Sequence, residues 1–432
     1  MLVSSRPVSR TRHISWAPSG WLVSGTTAGV DTDFLTLTCP DDFVAIRVGF
    51  TNINSEPYQV TKVIAAASRT LGDFANPVGD ATWTALTFAN RGASLNNIIN
   101  CGDAPTTITV AGNDDQRATG GSGLPRWTWS DWTPLQSVRR TDILDGPRAL
   151  MIRVLLPTGC RHTRPNGGFL EYHTRVDMNF GFDYVAGHVP ADMVTVPQAI
   201  FAPAACIGHS NPPVSCVQFL TVNEGIVGIT TGDSHHQGTS TTGQFWNYLL
   251  RATVEIGARH VGRIPFGYWS TAQGGTGSEW FFNSLQQILP VAKPSFVVLP
   301  GWTYNDTSKG VHADQSAVDL FVARLMMVAE ACRDVGAVPV FLTPFPRDPG
   351  SMTSIQIGPW LKLRDSILAM RKGGAVVVDV VPQLGHQSNG QLDGIYLDRY
   401  TNDQMHPNDA GHAVLAKELV VMIAQMSGIG VV

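Results

Sequence analysis

A serine becomes a nucleophile when a nearby imidazole can take its proton and a carboxylate holds that imidazole in place. The second half of this chain carries these residue types at two places. Thr231-Gly232-Asp233-Ser234-His235 follows a short apolar run at 226–231 and precedes a stretch of helical spacing. A serine at the carboxyl end of a strand faces the crevice where open α/β sheets bind ligands. Backbone amides at a helix start can face a developing oxyanion there. Taken alone, Gly-Asp-Ser also reads as a capped turn. Near the other end, Asn402-Asp403-Gln404-Met405-His406-Pro407-Asn408 precedes the last helical stretch. An Asp and a His three residues apart in a loop can lie side by side, so that Asp403 orients His406 as a general base. Asp409-Ala-Gly-His412 has the same spacing and competes for the role, with His412 otherwise expected to pack in the first helical turn.

Two further segments could stabilise negative charge. Asn305, in Pro300-Gly-Trp-Thr-Tyr-Asn305-Asp306, follows an apolar run and could donate its amide to an oxyanion; the alternative is an ordinary Asn-Asp turn. Gly274-Gly275-Thr276-Gly277 could bring a backbone amide close to a ligand, or be a plain loop. His235-His236 raises the question of a metal, but no third and fourth ligand follow at convincing spacing, so a zinc site is not expected.

The elements that must position these residues alternate. Strand-like runs at 226–231, 295–299, 338–343 and 375–381 are interleaved with helical patterns at 245–256, 280–288, 318–332, 361–370 and 410–426. That alternation predicts a parallel sheet with helices on both faces. The first half has another texture, rich in Thr, Val, Gly, Pro and Trp, with short runs at 43–50, 59–65 and 149–156 separated by turn residues. Strands so spaced predict an all-β sandwich of jelly-roll type. The division is expected at 221/222, giving an accessory unit 1–221 and a catalytic unit 222–432.

Composition limits the function classes. The 432 residues are 43% hydrophobic and 15% charged, with a net charge of −4, and no run of like charge marks a nucleic-acid surface. No apolar stretch is long enough to span a membrane. The basic start lacks the apolar core of a signal peptide, so export by that route is not expected, or the signal is already removed. Oligomeric state is not readable. Of the six cysteines, Cys206 and Cys216 flank a loop with Pro212-Pro213 and could pair; the alternative is that all six are small buried residues. Trp127 and Trp129 could present two rings on one strand face, to a sugar or to the core.

In order and placement the four segments resemble the blocks of the SGNH (GDSL) hydrolases: Gly232-Asp233-Ser234, Gly275, Asn305-Asp306, and Asp403 with His406-Pro407-Asn408. For the glycine block, Gly274 and Gly277 compete with Gly275. Where the family carries Gly two residues before the Asn, this chain has Thr303. The resemblance covers about half the chain. It implies a flavodoxin-like α/β/α domain with a five-stranded parallel sheet and no cofactor. It implies Ser234 as nucleophile, His406 as base held by Asp403, and an oxyanion hole of the Ser234 and Gly275 amides and the Asn305 side chain. There is no Gly-x-Ser-x-Gly elbow. The first half is similar to the β-sandwich that precedes the catalytic domain in some two-domain members. The expected activity is hydrolysis of a small ester or an acetylated carbohydrate. The competing readings are acyl transfer to a sugar, and a glycan-binding or structural protein with an idle hydrolase domain.

Overall fold

The structure is a computed structural model. It describes residues 7–17, 21–52, 54–69, 83–88, 108–110, 126–141, 146–166, 184–189, 194, 213–242, 246–260, 263–307, 315–347, 354–388 and 391–429.

One strand organises the molecule. Val214–Thr230 runs for 17 residues and belongs to two different kinds of sheet along its length. Its first part pairs antiparallel with Phe43–Asn52 on one side and with Thr11–Trp16 on the other. Its last part pairs in parallel with Phe266–Ser270 and Phe296–Leu299. Phe296–Leu299 continues in parallel to Val338–Leu342, which continues to Val376–Val378. The result is a nine-stranded mixed sheet. Residues 221 and 222 lie inside the long strand. A second, five-stranded sheet is antiparallel throughout, in the order Tyr184–Val189, Asp31–Cys39, Arg148–Leu156, Lys62–Ser68 and Thr84–Ala85.

The parallel strands are apolar at successive positions because both of their faces are covered. Ile229, Trp269, Val297, Leu299, Phe341 and Val377 bury one face against the helices Ser278–Ala292 and Gln315–Asp334. Phe296, Val298, Val340, Leu342, Val376 and Val378 bury the other against Tyr248–Arg259 and Asp409–Ser427. That second cluster is continuous with the first half of the chain, through Phe219 and Val217 to Leu37, Phe50, Ile152 and Val154. Among the described residues, no helix is long and apolar enough to cross a membrane.

Several elements differ in extent from the sequence reading. The run expected as a strand over 375–381 stops at Val378, and Val381–Leu384 forms a short helix with Pro at its start, where a proline lacks no needed N–H. The run at 59–65 divides into Tyr58–Val60 and Lys62–Ser68. Residues 43–50 alternate in sequence, yet nine of the ten positions of Phe43–Asn52 are buried. Arg47 explains the exception to pattern. Its guanidinium is sandwiched 5.1 Å from the Trp129 ring and 4.7 Å from the Trp132 ring. Its Nε donates to Gln218 Oε1 (2.5 Å) and a terminal nitrogen donates to the Val291 carbonyl (3.2 Å), in the last turn of Ser278–Ala292. Burial lowers its pKa to about 10, so it stays charged at neutral pH and faces the negative end of a helix.

Trp127 and Trp129 do lie on one face of Arg126–Trp129, stacked at 5.4 Å, but both rings meet Trp269 edge-on and are half-buried. Cys39, Cys160, Cys216 and Cys332 are all buried. Cys216 is fully buried, with its Sγ 3.7 Å from the Val217 carbonyl oxygen; Cys206, with which a pairing was considered, lies outside the described residues, as does Cys101.

Candidate active site

The long strand ends at Thr230, and after three intervening residues the chain enters a single helical turn, Ser234–Gln237. Gly232 makes this change of direction possible. Its φ is +139°, and a side chain there would collide with the His236 ring. Asp233 caps the turn by accepting from the His235 N–H (3.0 Å). Ser234 is thus the first helical residue, at the carboxyl end of a central strand.

The partner loop is shaped by its own residues. Thr401 and Pro407 form an isolated antiparallel bridge. Between them Gln404 adopts a left-handed conformation, φ +59°. The Asp403 Oδ1 accepts from the backbone N–H groups of Met405 (2.9 Å) and His406 (2.7 Å), a side-chain turn that folds the loop back on itself. This places Asp403 Oδ2 2.6 Å from His406 Nδ1. The other ring nitrogen, Nε2, lies 2.8 Å from Ser234 Oγ. Burial would raise the Asp403 pKa, but the bonds from the His406 ring and from the His406 and Met405 N–H groups hold it well below the usual range. With Asp403 a carboxylate, Nδ1 carries the proton and Nε2 is free to accept from the serine hydroxyl. Burial and the neighbouring His235 lower the His406 pKa, opposed by the Asp403 bond. The imidazole is therefore neutral at neutral pH.

The competing pair does not form. His412 is fully buried with no hydrogen-bond partner for either ring nitrogen, and it stacks on Tyr248 at 5.9 Å. Asp409 is bonded to Thr242 and Arg251 instead. The histidines beside Ser234 also have protein partners. His235 Nδ1 lies 3.0 Å from Asp233 Oδ1, and His236 Nδ1 lies 2.7 Å from the Tyr248 hydroxyl. Among the described residues no cluster of His, Cys, Asp and Glu could hold a metal ion.

The glycine and asparagine segments are tied to the Ser234 turn. Gln273 N–H donates to the Gly232 carbonyl (2.9 Å) and Gly274 N–H donates to Gln237 Oε1 (3.0 Å). Gly275 follows in a left-handed conformation, φ +76°, exposed and with open space around it. Gly277 has a different use, since a side chain there would meet the Asp306 carboxylate, which accepts from Ser278 N–H at the head of Ser278–Ala292. Asn305 lies in the short helix Tyr304–Thr307 just beyond Phe296–Leu299. Its Nδ2 donates to the Thr276 carbonyl (2.9 Å) and its N–H to Thr303 Oγ1 (3.2 Å). The Thr303 hydroxyl in turn donates to Asp233 Oδ2 (2.8 Å). The residue that departs from the family pattern is therefore a link between the asparagine and serine segments. Sequence reasoning missed Thr303, Gln237 and Ser240 as parts of the site. A threonine, a glutamine and a serine have no distinguishing spacing, and only the position of Thr303 marked it as unusual.

No family model matches the sequence, and no curated protein matches it. Among solved structures, the chain is similar to a putative acylhydrolase from Bacteroides fragilis at 18% identity, covering 46% of this chain and 88% of that one, with a TM-score of 0.37. It is similar to a GDSL-like lipase from Bacteroides thetaiotaomicron at 15% identity, 46% and 88% coverage and a TM-score of 0.36. It is similar to an acetyl xylan esterase from Geobacillus stearothermophilus at 14% identity, 46% and 94% coverage and a TM-score of 0.34. The chain resembles the SGNH/GDSL hydrolases.

Proposed function

We propose that this protein is a serine carboxylic-ester hydrolase acting through an acyl-enzyme on Ser234, with the chemistry in residues 222–432 and residues 1–221 as its accessory part. The observation that carries the reading is the pair of contacts at His406: 2.8 Å from Nε2 to Ser234 Oγ and 2.6 Å from Nδ1 to Asp403 Oδ2. In this reading Ser234 Oγ attacks the ester carbonyl carbon while His406 Nε2 takes its proton. The resulting imidazolium is held by the Asp403 carboxylate. Collapse of the tetrahedral intermediate breaks the C–O bond, and the departing alcohol takes the proton from Nε2. Water then attacks the acyl-serine, with His406 again accepting and returning one proton, and the acid leaves.

The oxyanion is assigned to the backbone N–H groups of Ser234 and Gly275 and to the Asn305 amide. Ser234 is a first-turn residue whose N–H has no partner four residues back within the helix. Asn305 donates from its amide to the Thr276 carbonyl, which fixes the plane of the group beside the glycine segment. No cofactor is required. The proposed substrates are small esters or acetylated carbohydrates, in keeping with a chain of only slight net charge. Acetate release from p-nitrophenyl acetate and from acetylated xylan, wild type beside Ser234→Ala, tests the reading. Release that depends on Ser234 supports it. Equal release by both proteins, or none by either, removes it.

A further inference from the structure

Asp403 is held by more than its histidine. Its Oδ1 accepts from Met405 N–H, His406 N–H and the Thr401 hydroxyl (3.3 Å), all within the loop 401–407. Its Oδ2 accepts from the His406 ring and from one group outside that loop, the Ser240 hydroxyl at 3.2 Å. Ser240 lies six residues beyond Ser234 on the same connected turn. The N–H groups of Gly238 and Thr239 both donate to the Ser234 carbonyl (3.2 Å each), and Thr241 closes back on the Gly238 carbonyl. Ser240 is therefore fixed relative to the nucleophile while it touches the carboxylate.

The neighbouring contacts run in the same direction. Ser240 forms a parallel bridge with Asn408. Thr242 donates its N–H (2.9 Å) and its hydroxyl to Asp409, the first residue of the last helix. Asp409 is paired with Arg251, whose Nε donates to the Trp246 carbonyl (2.8 Å) and whose guanidinium lies 5.3 Å from the Trp246 ring. Three consecutive attachments thus join the segment after the nucleophile to the segment that carries the acid and the base. Two of them, the Ser240–Asn408 bridge and the hydrogen bonds from Thr242 to Asp409, set the distance. Only the Ser240 hydroxyl acts on a catalytic side chain.

Resting on the esterase reading above, we propose that Ser240 is a positioning residue of the triad: its hydroxyl orients the Asp403 carboxylate and so keeps His406 in register with Ser234. The carboxylate needs this because its side chain is 43% exposed, and water competes for an exposed carboxylate oxygen. A hydroxyl anchored to the nucleophile's own turn gives Oδ2 a fixed second partner. It also withdraws charge from the oxygen that meets His406 Nδ1. The charged and titratable groups around His406 are Asp403 from its own loop, Asp233 and His235 from the nucleophile turn, and His412 from the last helix. Ser240 changes only the first of these.

The test compares Ser240→Ala, Ser240→Thr and Ser234→Ala in full-length protein, by kcat and by the pH profile of kcat/KM on p-nitrophenyl acetate, with thermal melts as a check on folding. Ser240→Ala is expected to lower kcat about tenfold, as loss of one hydrogen bond to a charged group would. Its acid limb is expected to move to higher pH, because a carboxylate with one donor fewer holds the imidazolium more tightly. Ser240→Thr, which keeps the hydroxyl, is expected to restore both. Wild-type kcat and an unmoved acid limb in Ser240→Ala, with Ser234→Ala inactive, overturn the inference and leave the esterase reading standing. Equal losses in Ser240→Ala and Ser240→Thr also overturn it, because the defect is then packing and not the hydroxyl. Wild-type turnover in Ser234→Ala overturns the site reading itself.

Discussion

Two aspartate–histidine pairs flank Ser234, and they differ in burial and reach. Asp233 and His235 sit in the Ser234 turn, both nearly inaccessible, with Nδ1 and carboxylate 3.0 Å apart. Asp403 and His406 sit in a surface loop, with the carboxylate 43% exposed and the contact 2.6 Å long. The two imidazoles are neighbours, with ring centroids 5.0 Å apart. Only His406 presents its second nitrogen to Ser234 Oγ. His235 Nε2 is buried and has no hydrogen-bond partner. The same two residue types therefore serve different ends. The buried pair caps a helical turn and braces Thr303, and the loop pair aims its second ring nitrogen at the serine. A carboxylate–imidazole contact alone does not mark a catalytic base. The free nitrogen's target does.

The largest effect should come from removing the loop histidine. His406→Ala is expected to lower kcat on p-nitrophenyl acetate by about four orders of magnitude or more, with a melting curve close to wild type. His412→Ala should do the reverse, keeping turnover while lowering stability by about 1–3 kcal/mol through the cavity it leaves. A result in which His412→Ala abolishes turnover and His406→Ala spares it would assign the roles the other way. Next in size is Asn305→Ala, expected to lower kcat by about 100-fold if its amide serves the oxyanion; an unchanged rate would take Asn305 out of the site.

Smaller effects separate the two environments by pH. His406 must be neutral to act as a base, and burial places its pKa below 6.5. The kcat/KM of the wild type should therefore rise with pH through a midpoint below 6.5 and be flat at neutral pH. An acid limb centred above 6.5 would contradict the local electrostatics. The buried histidines bear on stability instead. Burial pushes His236 down to about 4 and His412 well below its usual value. Unfolded chains protonate these residues near 6.5, so the unfolded state binds more protons below that pH and folding weakens. The melting temperature is expected to fall as pH drops from 6.5 toward 4 and to change less in a His236→Phe, His412→Phe double variant. An identical fall in both proteins would show that other groups govern acid unfolding.

The site was legible in sequence to the extent that its residues are close in sequence or bear distinctive types. Asp403 and His406 are three apart, and one loop with a single left-handed residue suffices to join them. Ser234 could be read from a strand end followed by a helical turn. Thr303, Gln237 and Ser240 could not, because each is a common polar residue whose partner is 37 to 163 positions away, at Asp233, Gly274 and Asp403. Arg47 was hidden for the same reason. A charged residue in an alternating run reads as solvent-facing, and nothing local reveals that Trp129, Trp132 and the end of Ser278–Ala292 surround it.

By itself the amino-acid order determined the helical and extended segments of the second half, through apolar period and turn residues, and it determined which residue types stand at strand ends. Those are consequences of local sterics and of which face each segment must bury. Tertiary structure alone decided which of two Asp-x-x-His spacings meets the serine, because that depends on the distance between segments some 170 positions apart. It also decided that Val214–Thr230 passes without a break from antiparallel neighbours to parallel ones. A strand's pairing direction is set by the partners that reach its edges, and no residue within the strand encodes them.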